Sequence, residues 1–343
     1  MAPPSLAQRV LGWQATHGRH DLPWQHPRTP YRVWLSEVML QQTTVSAVIP
    51  YFKRFVARFP DVGPLAAAPL DEVLSLWQGL GYYARARNLH ACAQRIQEDY
   101  GGEFPANREA LEALPGIGRS TAAAICAQAF GLPEAILDAN VKRVFSRHSA
   151  EQEWPGKTAA QKRLWSYAES HLPSVRLPDY TQGLMDLGAT ICIPKQPRCG
   201  ECPIADDCQA LRQGLVESLP IKAPRKNRSR RQRYCLMWLS RRPKDQAIWL
   251  ERRPPSGLWG GLWCPPHSEL LEAQPPTQDH ALKIKHVFTH FDLHIYVMLD
   301  EPPQPTANGV AEELEARWVT PQNMGQYGLP TAVHRILEKL SND

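Results

Sequence analysis

The chain has 343 residues, 43% hydrophobic and 21% charged, enough for two domains with their own cores, and this balance excludes an intrinsically disordered protein. The amino terminus, MAPPSLAQRV, lacks the basic-then-apolar pattern of a signal peptide, and no apolar run reaches the ~18–20 residues of a membrane span, so a cytoplasmic protein is expected. A net charge of +5 permits a nucleic-acid partner without requiring one.

Residues 1–220 carry helical signals. Thr29-Pro30 is a start signal, a cap residue followed by proline at the first helical position. Beyond it, YRVWLSEVMLQQTTVSAVI keeps Trp34, Val38, Val45 and Val48 at helical spacing. Further helical patterns lie around 71–78, 83–99, 107–113, 119–130, 140–148, 159–171 and 180–190, separated by Pro/Gly joints. Residues 222–233, KAPRKNRSRRQR, hold seven basic residues and no acidic one, the composition of a solvated linker. After it YCLMWLS, AIWLERR and HVFTHFDLHIYVML alternate like strands, and TAVHRILEKL reads as a closing helix. The expected organisation is a helical domain over 1–221, a basic linker over 222–233 and a smaller α+β domain over 234–343.

Within the helical part, four of the eight cysteines fall in CIPKQPRCGECPIADDC (192–208), spaced C-x6-C-x2-C-x5-C. In a reducing compartment clustered cysteines are more often metal ligands than disulfides. Zinc sites favour short gaps, whereas an iron–sulfur cube is a larger object that suits uneven, longer ones; spacing leaves both readings standing. Lys195 and Arg198, inside the first ligand loop, are either phosphate contacts or ordinary surface charges. Cys92, Cys126, Cys235 and Cys264 are scattered and read as buried thiols.

ALPGIGRSTAAAI (113–125) is a glycine turn before a helix start, where Gly116 and Gly118 leave backbone amides to meet a phosphate; a plain turn is the alternative. Glu37, in VWLSEVMLQQ, follows Val33 by four and Trp34 by three, on or beside the apolar stripe. Burial there would raise its pKa and suit it to general-acid work, unless it sits at the stripe's edge in water. Asp138, in AILDANVKRVF, opens a helix, where amides and the helix dipole would keep it ionised; a plain N-cap has the same geometry.

The cysteine spacing resembles that of the helix-hairpin-helix DNA glycosylases related to endonuclease III. WLSEVMLQQT, LWQGLGYYARARNL, LPGIGRSTA, ILDANVKRV and MDLGATIC, spread over most of residues 20–210, resemble adenine DNA glycosylases. The resemblance implies a mainly α helix-hairpin-helix glycosylase domain with a [4Fe–4S] module held by Cys192, Cys199, Cys202 and Cys208. It makes Glu37 the acid that protonates adenine and Asp138 the carboxylate that stabilises the cationic sugar, with Asn140 orienting Asp138 or its water. Trp24, Leu40, Val45 and Ser120 fall at the adenine pocket. Gln42 and Tyr82 match residues that wedge into the base stack, and Arg85, Arg87, Lys142 and Arg143 are expected phosphate contacts. Pyrimidine glycosylases of the superfamily carry a lysine at position 120, so Ser120 implies a monofunctional enzyme that uses water.

LERRPPSGLWGGLWCPP (250–266) resembles the entry strand and loop of the Nudix fold, but HSELLEAQPPTQDH, which follows, lacks the glutamate array that would hold Mg²⁺. A C-terminal α+β Nudix-like domain without pyrophosphatase chemistry is therefore expected. In adenine DNA glycosylases this domain reads 8-oxoguanine through a Phe-Ser-His loop, matched here by Phe288, Thr289 and His290, though the triplet equally fits a strand. The implied partner is double-stranded DNA with A·8-oxoguanine or A·G mispairs, met by a monomer in the bacterial nucleoid. A pyrimidine glycosylase is disfavoured by Glu37 and the Nudix-like domain. A redox-sensing DNA binder without catalysis is disfavoured by the Glu37/Asp138 pair.

Overall fold

The computed structural model describes residues 3–224, 231–268, 270–271, 279–288, 290–300 and 315–341. It divides into two compact units: residues 1–66 with 91–225, and residues 67–90 with 226–343.

The first unit is helical. It holds α1 (Leu6–His17), α2 (Pro30–Leu40), α3 (Val45–Arg58), most of α4 (Val62–Ala67), and later in the chain α7 (Arg108–Glu112), α8 (Arg119–Ala129), α9 (Ala139–His148), α10 (Thr158–Ser170), α11 (Leu177–Thr190) and α12 (Gln209–Arg212). Thr29 caps α2 by accepting from the Arg32 amide at 3.3 Å, with Pro30 at the first turn as expected. The helical periodicity that runs on past Leu40 does not make one helix. Gln42 takes a left-handed φ of 59°, and the chain restarts at Val45. A core of α1, α8, α9, α10 and α11 side chains, among them Val10, Phe145 and Leu187, packs with Ala135, Ile136 and Leu137 of the segment between α8 and α9. Small residues make close approach possible: a Cβ on Gly188 of α11 would lie 2.7 Å from Asn140 Cβ and 3.0 Å from its backbone. Buried Asp186 accepts from the Arg19 amide (2.8 Å) and Nε (2.7 Å) and from Gln182 (2.8 Å), a paired buried charge that ties the Trp24 segment to α11.

The second unit joins α5 (Leu70–Leu76) and the start of α6 (Ala84–Tyr100) to two small sheets. In one, β1 (Arg231–Trp238) runs parallel to β6 (Phe291–Met298), which pairs antiparallel with β5 (Leu282–Val287). In the other, β3 (Ala247–Arg252) pairs antiparallel with β2 (Arg241–Arg242), β4 (Trp263–Cys264) and β7 (Ala316–Val319). The closing helix, α13, is Thr331–Ser341. β1 opens at Arg231, inside the stretch expected to be linker. The run HVFTHFDLHIYVML is two strands rather than one. Phe288 lies at the β5–β6 connection, its amide bonded to the Phe291 carbonyl at 2.9 Å. Cys92, Cys126, Cys235 and Cys264 are buried, as read. Among the described residues no helix is long and apolar enough to cross a membrane.

Candidate active site

Glu37 sits on α2 near the fully buried Trp34 and Leu35 and is itself half-buried. Solvent reaches part of it, yet protein surrounds the carboxyl closely enough that burial, helped by the negative charge of Asp138, pushes its pKa up to about 8. Asp138 is the N-cap of α9: one carboxylate oxygen accepts from the Val141 amide at 2.7 Å, the other from Asn140 Nδ2 at 3.2 Å. The amides, Asn140 and the nearby Arg143 favour the charged form, as expected of a cap, while desolvation outweighs them and moves the pKa of Asp138 up from the ordinary aspartate value.

Arg143 carries the cap onward. It donates to Asn140 Oδ1 (2.9 Å), the Gly188 carbonyl (2.6 Å) and the Cys192 carbonyl (2.7 Å). The guanidinium expected on a phosphate thus also makes bonds within the protein. Two arginines of the second unit do likewise. Arg85 is buried, donates to the carbonyl of Gly81 (3.3 Å) and lies over the Trp77 and Tyr82 rings; burial lowers its pKa to about 10. Arg87 donates to the Gly260 carbonyl. Both cations stabilise loop carbonyls because the chain turns them inward. Lys142 is half-buried, Lys195 is exposed, and Arg198 is exposed and paired with Glu201 at 3.3 Å.

Of the residues expected at the adenine pocket, Trp24 is buried edge-on to Phe52 at 5.5 Å, and Leu40, the last residue of α2, and Val45, the first of α3, are half-buried. Gln42 is exposed between them. Ser120 Oγ accepts the Leu137 amide at 3.3 Å, so the hydroxyl holds the backbone next to Asp138. In the hairpin, Gly116 has φ 76°, and Gly118 caps α8 with no side-chain bond to its first amides. Tyr82 is 46% exposed with φ 52°. In the β5–β6 connection Phe288 stacks on Phe291 at 4.7 Å and His290 is exposed; Thr289 lies outside the described residues.

The four clustered cysteines line one cavity with Val144, Arg147, Ile191 and Ile204. Among the described residues no three His, Cys, Asp or Glu side chains converge on a single-ion site; the thiols stand around a space instead. The fully buried Arg147 donates to Cys192 Sγ at 3.3 Å and to the Ile193 carbonyl at 2.8 Å, placing a positive charge beside the ligand set. Four thiols around an apolar space, with a cation to balance thiolate charge, fit an iron–sulfur cluster. Arg147 was missed from sequence, although its i, i+4 relation to Arg143 puts both guanidiniums on the α9 face that meets Cys192. Asp186 and Gly188 were likewise missed, quoted only as part of a motif.

Comparison with known proteins agrees with this architecture. Residues 35–170 match the HhH-GPD superfamily of base excision DNA repair proteins, 192–208 the iron-sulfur binding domain of endonuclease III, and 237–339 the NUDIX domain. The chain is 36% identical to the adenine DNA glycosylase of Buchnera aphidicola subsp. Acyrthosiphon pisum (strain APS), with 98% of each chain covered. It is 32% identical to that of Mus musculus, covering 97% of this chain and 77% of the mouse protein. Among solved structures, a thermostable thymine-DNA glycosylase superposes with TM-score 0.56 at 32% identity, covering 60% of this chain and 95% of that one. A non-covalent endonuclease III–DNA complex shares the fold, with TM-score 0.50 at 24% identity over 63% of this chain and 99% of that chain.

Proposed function

Because this chain belongs to the adenine DNA glycosylases, base excision repair enzymes that hydrolyse N-glycosidic bonds and carry an iron–sulfur cluster, we propose that it removes adenine paired with 8-oxoguanine or guanine in duplex DNA. The observation that carries the reading is the pair of carboxyls in the first unit: Glu37, whose pKa burial and the Asp138 charge push up to about 8, and Asp138, fixed at a helix cap by the Val141 amide and by Asn140.

In this reaction the adenine leaves the stack, at a cost of a few kcal/mol, and Gln42 and Tyr82 enter it. Trp24, Leu40 and Val45 form the wall that the base meets. Glu37 gives its proton to the base as the C–N bond breaks, and the bonding electrons leave with adenine. The Asp138 carboxylate faces the positive charge left on the sugar, while Asn140 holds it in orientation. Water adds to the sugar and its proton is released, leaving an abasic site and free adenine. Ser120 supplies no amine, so the enzyme is monofunctional and the strand stays intact. Cys192, Cys199, Cys202 and Cys208 would hold the cluster, which braces the loop that presents Lys195 and Arg198 to the DNA backbone. The hairpin amides at Gly116 and Gly118, with Lys142, take further phosphates. Phe288, Thr289 and His290 read the partner base, since adenine is a normal base and only its partner marks the error. The enzyme works as a monomer.

Single-turnover assays on A·8-oxoguanine, A·G and A·T duplexes test this. Adenine should be released in that order of rate, without efficient strand scission; Lys142, near Asp138 in sequence, allows weak borohydride trapping of the protein. A Glu37→Gln variant should bind the A·8-oxoguanine duplex without releasing adenine. Release at the wild-type rate by that variant would sink the assignment.

A further inference from the structure

The loop carrying Tyr82 is held in a costly conformation. Gly79, Gly81 and Tyr82 have left-handed φ values of 92°, 77° and 52°. For a tyrosine this costs ~1 kcal/mol or more, and such a residue persists only where its surroundings over-determine it. Half of the restraint is local: Trp77 Nε1 donates to the Gly81 carbonyl at 3.1 Å, and Arg85 donates to the same carbonyl.

The other half comes from the C-terminal part of the same compact unit. Directly after the strained residue, Tyr83 donates its hydroxyl to the Leu329 carbonyl at 3.1 Å. Before it, Gln78 meets His334 and Ser75 donates to the Gly325 carbonyl. Asp71, in the first turn of α5, accepts from the indole of the fully buried Trp263 at 3.1 Å and pairs with Arg252 at 3.5 Å. Close packing demands a glycine at 328: a Cβ there would lie 2.6 Å from Leu74 Cβ. Residues on both sides of the loop are therefore bonded to the Nudix-like sequence, although residues 67–90 lie within the stretch that matches the glycosylase superfamily.

We propose that the Nudix-like region is the outer frame of the Tyr82 loop, with Tyr83, Asp71 and Trp263 as positioning residues that hold the wedge in register with the reader of the partner base. This rests on the reading of Tyr82 as the wedge and of residues 288–290 as the reader. Neither Tyr83 nor Asp71 need touch DNA. Each acts by fixing the backbone from which Tyr82 projects, so loosening them loosens the match between stack insertion and recognition of the damaged base.

A double-mutant cycle on the full-length protein tests the proposal. Tyr83→Phe removes one hydrogen-bond donor and keeps the ring. It should lower the ratio of single-turnover rates on A·8-oxoguanine over A·G by about two- to tenfold, the size of one neutral hydrogen bond. The same variant should weaken unstacking of a 2-aminopurine placed beside the mispair, a signal that general destabilisation does not move. Trp263→Phe breaks the frame from the other side and should act in the same direction, which keeps the test alive should either variant fold poorly. In a Tyr82→Ala background Tyr83→Phe should have no further effect. Additive losses, or an unchanged discrimination ratio in both Tyr83→Phe and Trp263→Phe, would overturn the proposal. If Tyr82→Ala alone left rate and discrimination untouched, the wedge reading itself would fall, a result distinct from additivity.

Discussion

Arg143 donates a hydrogen bond to the side-chain oxygen of Asn140 at 2.9 Å, and through that contact the Asp138 cap and the cysteine loop become one bonded assembly. Asn140 passes the restraint to Asp138, and Arg143 also holds the Cys192 carbonyl. A cation within this assembly lowers the energy of the Asp138 carboxylate. Orientation and charge thus have the same source.

Replacing Arg143 with methionine keeps the stem and removes the fork. We expect the single-turnover rate to fall by about ten- to a hundredfold, as for loss of a charge-assisted hydrogen bond. The acid limb of the pH profile should move to higher pH, because the charge that favours ionised Asp138 is gone. A variant with an unmoved acid limb would show that Arg143 does not act through Asp138.

Gly188 admits no side chain. Its Cβ would press on the Asn140 backbone at 3.0 Å, so Gly188→Ala must shift α9 against α11. Overpacking of this kind costs about 1–3 kcal/mol. Both the melting temperature and the rate should fall, and a thermal melt that matches wild type would refute the packing argument.

The pH dependence follows from the two carboxyls. Glu37 must hold its proton, and it loses it as pH rises through about 8; log(kcat/KM) should therefore decline above that pH. On the acid side the rate should fall as Asp138 protonates, at a pH above that of an unperturbed aspartate, because burial disfavours its charge. A profile still rising at pH 9 would contradict the role of Glu37.

The same proton sets a stability difference. Unfolded Glu37 titrates near 4.5 and folded Glu37 near 8, so the native state keeps a proton that the unfolded chain has shed. Stability contributed by this group is full below pH 4.5 and is lost as pH rises through 8. Glu37→Gln has no such loss, and at pH 8 it should be more stable than wild type by about 2 kcal/mol after allowance for partial exposure. Denaturant titrations at two pH values check this, and the gap must close in acid.

Deleting residues 226–343 removes the partners of Asp71, Gln78, Tyr83 and Arg87 together. Some adenine release should persist, while preference for 8-oxoguanine over guanine erodes. Limited proteolysis should then cut within 67–90, whose packing surface has been lost. Full retention of both discrimination and protease resistance would argue that this stretch folds without its C-terminal neighbours.

Local rules made several features readable before any coordinates. A proline at the first turn located α2, a cap residue located α9, and a seventeen-residue cysteine motif marked a metal module that the family resemblance made iron–sulfur, because each motif depends on neighbours within a few positions. The position of Glu37 beside an apolar stripe was legible for the same reason, since helical spacing alone puts it next to Trp34. What sequence could not supply was the competition between distant groups. Asp138 reads as a cap held by amides, but the burial that raises its pKa against those amides comes from the packed chain around it. Arg87 and Arg143 also meet carbonyls far away in the chain, Gly260 and Cys192, contacts that no local pattern announces. The frame around Tyr82 joins residues 67–90 to residues more than 160 positions later. A guanidinium or an indole carries no mark in sequence of which carbonyl or carboxylate will meet it; only the packed chain, by excluding water from one partner and admitting another, makes that choice.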